Sequence, residues 1–380
     1  MKTKTSAFFL FLILSSPLWG EGPVFSGILD SSLKLAAPSG EETFSYGLEE
    51  YANLRLQQDM GERIVFYAAL NCIAAAGIPA SAGGAGTSAG TAGGTLSPGE
   101  NYAAALELER LYMKVRGDSF DAEGGLLRLA FGYAQVWGPS DFLNPRNPLI
   151  PDARPRAVLG GGLSWYPGDM SMLRIFAAAP RDSVNPSGAG SFFGAMTELH
   201  LARASIQALY AYESPGSGGN IPNPWGLHRG GLSLKLDLAL GLTADILYTL
   251  DPARGGDEKG LAASAGFDYS FGGGDWYVLG EYLYRGEEAD NPRDLENQHY
   301  LYGELLYRYS EYTSCSLGGI LALEDLSVMP QFRAETEFLQ GLSFILLCRV
   351  PLAPYRSGGE LGPGKTGAYA IIDARIRLRF

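Results

Sequence analysis

Residues 368–380 read Ala-Tyr-Ala-Ile-Ile-Asp-Ala-Arg-Ile-Arg-Leu-Arg-Phe. Counting back in twos from Phe380 gives Leu378, Ile376, Ala374, Ile372, Ala370 and Ala368. The interleaved positions are Arg379, Arg377, Arg375, Asp373, Ile371 and Tyr369. Successive side chains of a strand point to opposite faces, so this segment has one apolar face and one charged face. So dense a charge row cannot enter a dry core, where each unpaired charge costs several kcal/mol. A wall with lipid on one side and water on the other accepts it. The reading is the closing strand of an all-β, transmembrane, antiparallel up-and-down β-barrel.

The same alternation recurs upstream. Leu232, Leu234, Leu236, Leu238 and Leu240 interleave with Ser233, Lys235, Asp237 and Ala239, and Val278 to Tyr284, Leu301 to Tyr309 and Phe332 to Phe338 repeat the period. Helices would show a 3.6-residue repeat instead. The pattern predicts about eighteen strands, or sixteen if the first two do not form. They are placed at 24–35, 44–58, 62–73, 101–116, 124–137, 157–166, 171–179, 193–203, 204–213, 228–239, 240–250, 260–271, 275–286, 299–310, 314–324, 331–340, 341–351 and 367–380. Short and long connections alternate between them, as in a barrel with short inner turns and long outer loops. Tyr210, Tyr212, Tyr248, Tyr282, Tyr284, Tyr307 and Tyr309 fall near strand ends, where an amphipathic ring suits the headgroup level. Between Leu108 and Leu111 the phase switches, which predicts an extra residue, a β-bulge, at Glu109–Arg110.

At the other end, Lys2 and Lys4 precede an apolar run, Ala7 to Leu14, broken by Ser15-Ser16-Pro17. This predicts a secretory signal peptide at 1–20, cleaved after Leu18-Trp19-Gly20, leaving the barrel at 21–380. The run is shorter than the ~20 residues a spanning helix needs. The chain carries 29 Lys and Arg against 41 Asp and Glu, a net charge of −12 that loss of Lys2 and Lys4 takes to −14. That balance excludes nucleic-acid binding, which requires a basic face. Charged residues make up only 18% and mean hydropathy is near zero, which suits a wall wetted on one side. Cys72, Cys315 and Cys348 are too few and scattered for a disulfide framework or a zinc site. Residues 74–99, rich in Ala, Gly, Ser and Thr, read as an outer loop.

The candidate site is the connection 138–156. Its five prolines exclude a strand, and it carries Asp141, Asn144, Arg146, Asp152, Arg154 and Arg156. It is the third outer loop, and here the chain resembles outer-membrane porins. In general porins the third loop folds inward and narrows the channel, with acidic and basic groups facing across the gap. The segment from Leu106-Glu107-Leu108-Glu109-Arg110-Leu111-Tyr112 through Trp137-Gly138 to Asn144-Pro145 also resembles large bacterial barrel families. Phe380 is similar to the signal read by the barrel assembly machinery. The resemblance implies an integral outer-membrane protein at the cell surface, with lipid around it and homotrimers as a common assembly.

Strand phase puts Arg128, Arg174, Lys235, Arg308, Arg333, Arg375 and Arg377 in the lumen, with Glu198, Asp237, Glu281, Glu304 and Glu335 beside them. The signs nearly balance, which predicts a wet, weakly selective wall. The function expected is a channel for passive diffusion of small hydrophilic solutes. The alternative is a barrel that exports or attaches a surface polymer or binds host ligands through its loops. No cofactor or metal is expected, and no enzyme. His200, His228 and His299 lack metal-ligand spacing, and only His200 beside Glu198 forms a pair.

Overall fold

The computed structural model describes residues 22–38, 44–77, 95–98, 102–145, 157–179, 190–215, 225–252, 260–286, 297–353, 359–366 and 368–380. The signal-peptide region, Arg146, Asp152, Arg154 and Arg156 lie outside them. The strands in chain order are β1 (Val24–Pro38), β2 (Ser45–Met60), β3 (Ile64–Gly77), β4 (Thr95–Pro98), β5 (Tyr102–Arg116) and β6 (Phe120–Leu127). Then come β7 (Val158–Gly168), β8 (Ser171–Ala179), β9 (Phe192–Leu201), β10 (Ala204–Glu213), β11 (Leu227–Asp237) and β12 (Gly241–Leu250). The rest are β13 (Leu261–Phe271), β14 (Trp276–Arg285), β15 (His299–Arg308), β16 (Thr313–Ala322), β17 (Val328–Leu339), β18 (Leu342–Arg349) and β19 (Ala368–Arg379). Each pairs antiparallel with its neighbour, and β19 pairs back onto β1. β3 pairs directly with β5, so short β4 stands outside the ring, and eighteen strands close the barrel.

The seam shows how closure works. Asp30 sits opposite Arg377 and Ser32 opposite Arg375, while Leu29 faces Leu378 and Ser31 faces Ile376 across the other face. Backbone bonds between Gly27 and Phe380 finish the join at 2.8 and 3.2 Å. The Phe380 ring lies over Gly27, where a Cβ would meet the ring's Cζ at 2.7 Å. Alternation gives the wall two faces. Leu29, Leu163, Leu173, Leu232, Leu301, Phe332 and Ile376 are exposed outward, while Asp30, Asn53, Asp245, Glu281 and Arg377 are buried on the inner side. That inversion of the globular rule needs an apolar solvent outside. Aromatics gather at both rims, with Trp276 against Tyr307 (4.4 Å between centroids) at one and His228 against Tyr212 (5.2 Å) at the other.

The predicted bulge is present. Ala69 pairs with Arg110 and Leu70 with Leu108, leaving Glu109 as the extra residue. Both Glu109 and Arg110 then face the lumen, and Leu108 and Leu111 both stay outside. Two boundaries differ from the sequence reading. β3 continues to Gly77, so 74–77 belong to the wall rather than to an outer loop. The strand expected at 124–137 is instead Phe120–Leu127, and from Arg128 the chain leaves the wall.

Candidate pore constriction

Residues 128–145 form no regular secondary structure, yet Leu129, Phe131, Trp137, Leu143 and Asn144 are buried. An irregular segment keeps its backbone amides but loses the ladder that would satisfy them, so buried amides must find acceptors elsewhere. Here they find carboxylates on the inner wall. The amides of Tyr133 and Ala134 donate to the Asp245 oxygens, each at 3.0 Å. Those of Gln135, Val136 and Trp137 donate to Glu281 at 2.9, 3.0 and 2.7 Å. Gly132 donates to Gln207 Oε1 at 2.7 Å. The Tyr133 hydroxyl donates to Glu198 at 2.6 Å, and the Gln135 side-chain amide to Asp268 at 3.0 Å. The anchors thus step around β9, β10, β12, β13 and β14, and the segment is a strap laid along the inside of the barrel. Gly132 has φ +82°, and a Cβ there would land on the Asp245 carboxylate.

Two apolar clusters hold the strap from its other side. Leu129, Phe131 and Leu143 pack with Leu127, Val158, Phe176, Ala178, Met196, Leu209 and Ala211, all inward positions of β6 to β10. Trp137 packs with Leu279, Leu283, Tyr300, Tyr302, Ile320, Ala322 and Met329 from β14 to β17, joined by Leu361 from the loop before β19. Burying Trp137 or Phe131 contributes about 1.5–3 kcal/mol each. Arg229 lies over the rings of Phe142 and Phe192 at 5.1 and 5.3 Å and pairs with Glu213 at 2.7 Å. This part of the lumen is therefore dry, which corrects the expectation of a uniformly wet wall. The sequence signal was apolar residues in both phases, as in Ile175-Phe176, Phe192-Phe193 and Tyr282-Leu283-Tyr284.

The opposite arc, from β17 through β19 to β1 and β5, keeps a polar network. Arg377 makes a two-pronged pair with Asp30, 2.8 Å on each prong, and Arg375 pairs with Asp373 at 2.8 Å. Ser32 donates to Asp373 at 2.6 Å, Lys34 pairs with Glu49 at 2.7 Å and Arg333 with Glu335 at 3.0 Å. Asn53 donates to the bulged Glu109 at 2.6 Å, and Glu109 accepts Arg128 at 2.9 Å. The bulge thus holds the first residue of the strap.

Among the other candidates, Arg174 pairs with Glu123, Lys235 with Asp237 at 3.1 Å, and Glu304 accepts Tyr302 at 2.8 Å. Arg308 donates to the Gly274 carbonyl at the rim. Asn144 accepts the Leu129 amide at 2.8 Å, and the Asp141 amide bonds to the Gly138 carbonyl, so both residues fold the strap on itself. A second node was not legible. Glu360 accepts Tyr300 and, at 2.7 Å, Asn297, and the Glu360 amide donates to Asp325 at 2.7 Å. Burial pushes the Asp325 carboxyl up, but donors from Ser327, Glu360 and Asn297 outweigh it and hold it below the usual aspartate range.

His200 Nδ1 lies 3.0 Å from Ser205 Oγ, while its Nε2 is 3.7 Å from Glu198, beyond hydrogen-bond reach. Ser205 sits in a strand laddered on both sides, so its neighbouring amides are not aimed at an oxyanion. His228 and His299 face outward instead, bonded to Tyr210 at 2.8 Å and Tyr282 at 2.6 Å. Among the described residues no group of His, Cys, Asp and Glu has metal-binding geometry.

No protein-family model and no curated protein sequence matches the chain. Solved structures do. Acinetobacter baumannii OccAB4 superposes with a TM-score of 0.57 at 10% identity, covering 96% of this chain and 100% of that one. The fold is that of a Gram-negative outer-membrane porin. Pseudomonas aeruginosa OpdQ gives 0.57 at 12% identity, with 94% and 97% covered. Pseudomonas aeruginosa OccK7 gives 0.55 at 13%, with 94% and 98% covered. At such identities the likeness is one of fold.

Proposed function

We propose that the protein is an outer-membrane channel through which small hydrophilic solutes diffuse passively. The observation that carries this reading is the strap, held along one side of a closed eighteen-strand wall by Asp245 and Glu281. Barrels of sixteen to eighteen strands are wide enough for an aqueous channel. A strap bound to one arc narrows that channel without filling it, and solutes pass between the strap and the arc of Arg333, Glu335 and Lys34, backed by the buried pairs of Arg375, Arg377 and Asp30. The lumen candidates Arg128, Arg174, Glu198, Lys235, Asp237, Glu281, Glu304, Arg308 and Glu335 then act mainly as wall and anchors. Catalysis has no part in this reading.

The same reading has residues 1–20 directing export and being removed. Phe380, its ring exposed at the seam, serves as the mark read by the barrel assembly machinery. Assembly as a homotrimer would follow the general porins. The test is electrical. Purified protein in a planar bilayer should give discrete conductance steps, and liposomes containing it should swell in small sugars. Silence in both assays overturns the proposal.

A further inference from the structure

The chain has three histidines, and two of them stand in the same setting. At the long-loop end of β10 and β11, His228 lies opposite Tyr212, and its Nδ1 is 2.8 Å from the hydroxyl of Tyr210. At the long-loop end of β14 and β15, His299 lies opposite Tyr284, and its Nδ1 is 2.6 Å from the hydroxyl of Tyr282. In both, the imidazole leans on the second tyrosine ring, at 5.2 and 5.3 Å between centroids and 48° and 44° between planes. All six side chains are on the outward face, so one three-ring unit is built twice, four strands apart. A barrel rim does not require it: Tyr269, Phe271, Trp276 and Tyr307 at the opposite rim stack without a histidine.

A phenol is a stronger proton donor than an imidazole N–H, so each first tyrosine donates to Nδ1 and the neutral ring keeps its hydrogen on Nε2. A protonated ring keeps that hydrogen too and adds a charge. Among the described residues neither Nε2 has a protein partner, and neither has the hydroxyl of Tyr212 or of Tyr284. Each unit therefore offers two unused donors, an imidazole N–H and a phenol O–H, at the level where aromatic rings meet lipid headgroups. The outward faces of the described strands carry no Lys or Arg, so these two histidines are the only groups there able to hold positive charge. An anion rich in oxygen answers both donors, and the headgroup level supplies one in the lipid phosphate. We infer that each Tyr-Tyr-His unit is a docking site for the phosphate of a lipid in the leaflet on the long-loop side. Four strand steps of about 4.8 Å put the units about 19 Å apart, so each takes its own lipid.

This inference goes beyond channel activity, and its test reads bound lipid rather than current. The purified barrel is placed in nanodiscs of digalactosyldiacylglycerol, which has no phosphate, and phosphatidylglycerol is titrated in. With the histidine ring nitrogens labelled, the Nε2 resonances of His228 and His299 should shift together, while His200, which faces the lumen, stays still. Native mass spectrometry should find up to two phosphatidylglycerol molecules retained per chain. His228→Phe keeps the ring packing and should lower affinity at its own site about tenfold, as expected for one lost hydrogen bond to a charged group. Adding His299→Phe should remove the second lipid. Tyr212→Phe and Tyr284→Phe, which take away only a hydroxyl, should give smaller losses in the same direction. Heat-modifiable gel mobility shows whether the variants are folded, and the resonance shifts of the unaltered protein do not depend on them. Resonances that ignore phosphatidylglycerol, or lipid retention unchanged in the folded double variant, overturn the inference. So does inorganic phosphate moving the same resonances equally well in the digalactosyl nanodiscs, which would make the units anion sites with no preference for lipid.

Discussion

The two halves of the lumen obey one alternation and use it in opposite ways. On β8 to β16 the inward positions are Phe176, Met196, Leu209, Leu279, Tyr300 and Ile320, with a few carboxylates among them. On β17 to β19 and β1 to β3, beside Met329, Ile345 and Leu347, they include Arg333, Arg375, Arg377, Asp30, Lys34 and Asn53, bonded side chain to side chain. In the first half Asp245 and Glu281 serve backbone amides of the strap; in the second Asp30, Asp373 and Glu335 serve arginines of the wall. An inward carboxylate is therefore no guide to selectivity until its donor is known. Glu281 and Asp30 are both buried, yet one holds the strap and the other pairs with an arginine of the wall.

Removing the strap tests the contrast most severely. Replacing residues 129–144 by a short Gly-Ser bridge should raise single-channel conductance roughly twofold or more, because nothing then narrows the lumen. It also exposes both apolar clusters to water, so a lower thermal stability is expected alongside. Unchanged conductance would mean that the strap does not set the bore.

Next in size is Glu281→Ala. Three strap amides lose their acceptor at once, and at about 1–3 kcal/mol per unsatisfied group the strap's attachment near Trp137 should fail. Trp137 fluorescence should shift to the red and open-channel noise should rise, while the barrel's gel mobility stays the same. Gly132→Ala acts on the same strap with less force. A φ of +82° and a Cβ directed at Asp245 cost about 1–3 kcal/mol, and open-channel noise should lie between that of the Glu281→Ala variant and that of the unaltered protein.

The other half answers differently. Arg377→Ala leaves the strap untouched and removes the two-pronged partner of Asp30. Conductance should change little, while reversal potentials in a salt gradient should move toward cation preference, by a permeability ratio of about twofold. A large drop in conductance instead would place the passage elsewhere.

How much of this the sequence carries depends on range. The wall is local: the last strand, the leucine series of β11 and the bulge at Glu109 all follow from period two within a dozen residues. The strap's start at Arg128 does not. Leu127, Leu129, Phe131 and Tyr133 continue the alternation beyond the wall, because an extended segment with one side packed on an inner surface keeps the same period. What separates them is Asp245 and Glu281, more than a hundred residues away, and only the closed ring brings them near. A shorter gap, 35 to 63 residues, hid Glu360 in the same way.

The smallest expected effect lies at that last node, at the loop end of the drier half. Asp325 takes the amides of Ser327 and Glu360 at 2.8 and 2.7 Å, and Ser327 in turn accepts the amide of Leu361, the residue that enters the Trp137 cluster. These donors favour the ionised carboxyl and hold its folded pKa below the ordinary value near 4. A depressed acid stabilises the folded arrangement above its unfolded pKa and ceases to as pH falls through the folded one. Hydrogen-exchange protection of the Glu360 and Leu361 amides, corrected for intrinsic rate, should therefore hold at neutral pH and decline below about pH 4. Asp325→Asn should show lower protection at neutral pH and no acid step. The strap amides bonded to Asp245 and Glu281 form a separate set and serve as the internal reference. A loss in both sets at one pH would show that the two loops open together, and protection at Leu361 persisting to strong acid would remove Asp325 as its support.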